Sequence, residues 1–122
     1  MDKELFDFVA ERADILSKSP ASKQDTQEAA KAWLQAVPAD ASEDTFNEAT
    51  EKLLDFLSGR MLGIDDLIAF VQGPGVAIFG EEGAAQMLAA QQERKAQGAK
   101  YCNCEAHTAA GELLAKFGRI EL

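Results

Sequence analysis

Histidine, tryptophan and tyrosine each occur once in these 122 residues, and cysteine occurs twice. One histidine excludes a ferritin-like di-iron site, which needs two Glu-x-x-His pairs. Two cysteines standing one residue apart, Cys102 and Cys104, cannot staple distant parts of a fold, so this is no disulfide scaffold. Apolar runs stop after a few residues, far short of the roughly 18 that a membrane-spanning helix needs. The first residues, Met1-Asp2-Lys3-Glu4-Leu5, lack the basic segment and apolar run of a secretory leader, and no lipidation motif is visible. The expectation is a soluble, cytoplasmic chain with no membrane partner. Basic residues are also scarce: 12 Lys and Arg against 21 Asp and Glu give a net charge of -9. So acidic a surface repels phosphate backbones, which sets nucleic acid aside as a partner. Only Arg94, Lys95 and Lys100 form a locally basic stretch. The chain has neither the G-x-x-x-x-G-K-[ST] phosphate loop nor a G-x-G-x-x-G turn, and no nucleophile elbow.

What the chain has is alanine and a three- to four-residue apolar rhythm. Alanine favours helix, and the few β-branched residues are scattered. Leu5, Phe8, Val9, Ala13 and Leu16 form the first stripe, over about residues 3–18, which Ser19-Pro20 ends. Ala29, Ala30, Trp33, Leu34 and Val37 form the second, over about 23–37, with Ser22 and Asp25 as a capping box and Pro38 as the break. Phe46, Ala49, Leu53, Phe56 and Leu57 form the third, over about 43–57. Ser42, or else Thr45 with Glu48, would cap it, and Gly59 would stop it. A short helix over about 65–72 presents Leu67, Ile68 and Val71, and Gly73-Pro74-Gly75 follows as a turn. Val76-Ala77-Ile78-Phe79 could be a strand, but a lone strand has no partner, so it reads as a helical turn in the core. Two more helices are expected over about 81–97, closed by Gly98, and over about 105–117, followed by Gly118. The fold class is therefore all-α: a compact bundle of five to six short helices in a single domain, residues 1–122. Trp33 and the seven phenylalanines would supply most of its bulky core.

The chemistry is concentrated in residues 101–107, Tyr-Cys-Asn-Cys-Glu-Ala-His. This C-x-C-x-x-H segment holds both cysteines and the one histidine. Thiolate and imidazole are preferred ligands of zinc and of other borderline or soft transition ions. Cys104 falls near the N-cap of the last helix and His107 in its first turn, so the two become neighbours. Cys102 can fold back from the loop to join them. Partial positive charge at the helix start favours a thiolate. The predicted ligands are thus Cys102, Cys104 and His107, with zinc as the expected ion. A closed structural site takes four ligands. The fourth could be Glu105, another carboxylate, solvent or a group from a second subunit. Two other readings stand beside this one. The cysteines could be small core residues, or a strained, easily reduced Cys102–Cys104 disulfide could serve redox sensing.

The segments 64–70 (IDDLIAF), 79–84 (FGEEGA), 87–89 (MLA) and 98–104 (GAKYCNC) together resemble a family of short, uncharacterised, all-helical bacterial proteins. These often carry a label borrowed from the ninety-kilodalton heat-shock chaperone. That chaperone is a large multidomain ATPase, and this chain has neither its length nor its α/β pattern. The likeness runs from Ala32-Trp33-Leu34 to the end and is strongest over 64–104. The resemblance implies an all-helical fold and a C-x-C-x-x-[CH] motif, with no established activity. His107 stands where the family tends to have a third cysteine, which keeps a metal ligand and loses a thiol.

The sequence therefore points to a non-enzymatic metal-binding protein. The alternatives are a helical interaction module with structural cysteines and a thiol-redox sensor. Asp65-Asp66 and Glu81-Glu82 sit near helix starts as solvated caps and not as acid–base pairs. An exposed apolar stripe would let the chain pair with itself or with another protein.

Overall fold

The computed structural model describes residues 2–121; Met1 and Leu122, the ends of the expected single domain, lie outside them. Six helices account for the regular structure, in the order α1 (Lys3–Lys18), α2 (Gln24–Ala36), α3 (Glu43–Ser58), α4 (Ile64–Gln72), α5 (Pro74–Ala96) and α6 (Glu105–Lys116). No strand occurs among the described residues. The chain divides into two compact units, residues 2–61 with 103–121, and residues 62–102.

The first unit is a bundle of α1, α2, α3 and α6, in which α1 packs on α2 and α6, and α3 packs on the same two helices. The amphipathic stripes explain it, since each helix can hide its apolar face only against another. Val9, Ala13, Leu16, Ala30, Trp33, Phe46, Leu54, Leu57, Leu113 and Leu114 meet in one core. Trp33 lies between Phe6 and Phe46, with ring centroids 5.9 and 6.0 Å away. Its Nε1–H donates to Thr50 Oγ1 at 2.9 Å, so the buried indole has its partner. Leucine dominates this core. Of the seven phenylalanines Phe46 alone is fully buried. The others were expected there too, but a ring at the edge of a stripe covers the core with one face and leaves the other wet.

The Ser42 cap follows the sequence, Asp2 adds an unexpected one, and one expected cap is missing. Asp2 Oδ1 accepts from the Glu4 and Leu5 N–H groups, and Ser42 Oγ accepts from Thr45 N–H at 3.2 Å. The expected Ser22–Asp25 capping box does not form. The N-cap of α2 is Lys23, which makes no side-chain cap bond. Asp25 instead accepts from Thr26 N–H through Oδ1 and from Arg60 Nη2, at 2.6 Å, through Oδ2. A guanidinium outcompetes a local cap for the carboxylate because both partners are charged. After α6, Arg119 donates to Asp55 and Glu51 of α3 at 2.6 and 2.5 Å. Its pKa is raised, chiefly by the hydrogen bond to Asp55.

The second unit is a helical hairpin of α4 and α5 followed by a short extended segment. Gly73 alone joins the two helices, and Pro74 opens α5, where a missing N–H costs nothing. The turn is tight enough that a Cβ on Gly75 would stand 2.9 Å from the Phe70 carbonyl oxygen. Gly80, at φ 77° and ψ 162°, divides α5 into two helical stretches in a backbone region open essentially to glycine alone. Val76–Phe79 is helical as expected, but it is not core: Ile78 and Phe79 are 64% and 45% exposed. A two-helix hairpin covers only one stripe, so a continuous apolar run must leave part of itself outside.

Helix α5 ends in a Schellman turn. Gly98 takes φ 97°, and Ala99 N–H returns to the Arg94 carbonyl at 3.0 Å. The chain then runs antiparallel to residues 62–64. Ile64 N–H donates to Lys100 O at 2.9 Å, and Cys102 N–H donates to Leu62 O at 2.8 Å. No helix among the described residues is long and apolar enough to cross a membrane.

Candidate metal centre

Cys102 is delivered by a backbone held on both sides. Its own N–H is bonded to Leu62. The carbonyl before it, that of Tyr101, accepts from Arg94 Nη2 at 3.0 Å. Arg94 is in turn gripped by Gln91, a buried amide on α5. Asn103 then turns outward, and Cys104 becomes the N-cap of α6 with an extended backbone at φ -62° and ψ 161°.

At this position Cys104 Sγ does what a serine oxygen does elsewhere. It accepts the backbone N–H of His107, at 3.3 Å. The same residue packs against the core of the bundle. One helical turn brings the His107 ring back over it, with Nδ1 3.0 Å from Sγ. On the far side of the ring, Nε2 lies 3.1 Å from the Arg60 carbonyl oxygen. A carbonyl can only accept, so Nε2 carries the proton. In the neutral form of the ring that proton leaves the lone pair on Nδ1, the nitrogen that faces the sulfur. This is the arrangement of a metal-ligating histidine, whose second nitrogen typically donates to a backbone carbonyl or carboxylate.

Arg60 is itself fixed. Its guanidinium is bonded to Asp25 and lies over the Phe56 ring, 4.7 Å from the centroid, and its N–H donates to Leu57 O. Nothing in the sequence marked Arg60 as part of the site, because its contribution is a main-chain oxygen 47 positions from His107.

The two sulfurs and the imidazole nitrogen all lie within 4.8 Å of one another, and each of the three residues is half-buried. The structure thus brings together the three residues that the C-x-C-x-x-H spacing singled out. Glu105, a candidate fourth ligand by sequence, is exposed and is not part of the group. A tetrahedral zinc ion would set a sulfur and a nitrogen about 3.5 Å apart and two sulfurs about 3.8 Å apart. The Cys104–His107 pair would therefore open by about half an ångström, and no pair would need to close by more than about 1.3 Å, within reach of side-chain torsions. Donor types, spacing and the bonded Nε2 all suit a borderline ion such as zinc.

Compared with models of protein families, with curated proteins and with solved structures, the chain matches none. The fold and the site define it as an all-helical protein carrying a Cys-Cys-His group able to hold a metal ion.

Proposed function

We propose that this chain is a cytoplasmic, non-enzymatic zinc-binding protein whose ligands are Cys102 Sγ, Cys104 Sγ and His107 Nδ1. One observation carries the reading: three soft or borderline donors converge, and the histidine's other nitrogen donates to the Arg60 carbonyl. A histidine serving only as a surface residue has no need of that fixed tautomer. In a reducing compartment the two thiols stay free for the ion. The reading is in keeping with the C-x-C-x-x-[CH] family that the sequence resembles, and membership of that family is part of the same proposal.

An ion that binds only the folded chain stabilises it by mass action. At 100 times its Kd that amounts to about 2.7 kcal/mol, and a domain of this size shifts by about 4 °C per kcal/mol. Removing zinc with EDTA is therefore expected to lower the melting midpoint by about 10 °C, with recovery on adding zinc back. Identical melting curves with zinc, with EDTA and in the Cys102→Ser/Cys104→Ser double variant would contradict the proposal.

A further inference from the structure

Among the described residues the converging donors number three, and a tetrahedral ion accepts four. Catalytic and exchanging zinc sites differ from structural ones in just this respect, since they keep one position for a ligand from outside. Here the three donors are only half-buried, and the residues flanking them, Asn103 and Glu105, point to solvent. Resting on the zinc-binding reading, we infer that the fourth position is open and takes a thiol from a second molecule.

Softness selects the thiol. Arg60 and Lys95 are paired with the carboxylates Asp25 and Asp65, whereas Arg94 bonds to two neutral groups, the Gln91 side chain and the Tyr101 carbonyl, and keeps its charge beside Cys102. A thiolate and azide are both anions once bound, so charge does not choose between them. With two sulfurs already present the ion is biased toward a third soft donor. On binding, the S–H proton passes to solvent, a sulfur–metal bond forms and a solvent ligand leaves; no electron is transferred. The thiol could belong to a small molecule or to a cysteine on another protein, and the chemistry at the ion is the same.

The test uses the full chain loaded with cobalt(II), whose sulfur-to-metal absorption counts bound thiolates. β-Mercaptoethanol is added in one arm, a short neutral peptide with one cysteine in a second, and azide in a third. The thiolate band is expected to grow by about half as the sulfur count rises from two to three. A response to β-mercaptoethanol supports the inference with small thiols as the source. A response to the peptide alone supports it with a protein cysteine as the source. A cobalt-loaded chain that responds to neither, or to azide in place of both, overturns the inference while the metal site stands. No cobalt band before any addition overturns the site and the inference together.

Discussion

Replacing His107 with alanine is expected to weaken zinc binding by at least about 100-fold, since loss of an outer-shell partner alone costs 10- to 100-fold and this change removes a ligand. Competition against a chromophoric zinc chelator reads the change directly. The fold should survive. His107 is half-buried, its backbone N–H would still donate to Cys104 Sγ, and α6 keeps its buried face of Ala106, Ala109, Ala110, Leu113 and Leu114. The folded apo chain loses two ring contacts, to the Arg60 carbonyl and to Cys104 Sγ, each worth about 1 kcal/mol. Equal zinc affinity in the variant and the parent would show that the imidazole is not a ligand, and that the 3.0 Å contact with Cys104 is a thiol–imidazole hydrogen bond and nothing more.

Replacing Trp33 with alanine is expected to cost about 3–5 kcal/mol, the range for deleting a large buried aromatic. Trp33 is 2% exposed and holds the Phe6 and Phe46 rings on either side. Its removal also strands the hydroxyl of Thr50, which is 3% exposed and loses its indole partner. Urea unfolding followed by circular dichroism measures the loss. Ile78→Ala serves as the control, because that side chain is 64% exposed and truncation there should change stability by less than about 0.5 kcal/mol. Comparable losses in the two variants would mean that the core is not organised around Trp33.

The helices were legible because their stripes are regular and their ends are marked. Ser19-Pro20 and Gly59 stop helices where they should, and α1 occupies the predicted residues. The candidate site was legible for a different reason. Its three donors fall within six consecutive residues, and one helical turn is enough to bring Cys104 and His107 together. Long-range choices left no such mark. Asp25 has a plausible local partner in Ser22, but it is taken by Arg60, 35 positions away. The Arg60 carbonyl becomes the acceptor for His107 only because of where α3 ends. Composition also misled on the core, since a phenylalanine count does not say which rings stand in mid-stripe. Val76–Phe79 shows the same limit: four apolar residues in a row carry no period, so they do not reveal how much of the turn stays outside.

The most direct test of the metal reading is the metal content of the full chain, purified without a metal-affinity column and under reducing conditions, beside Cys102→Ser/Cys104→Ser. About one zinc per parent chain and none in the variant are expected, with both proteins equally helical by circular dichroism. No transition metal in the parent, with its thiols free and zinc added in excess failing to bind, would contradict it.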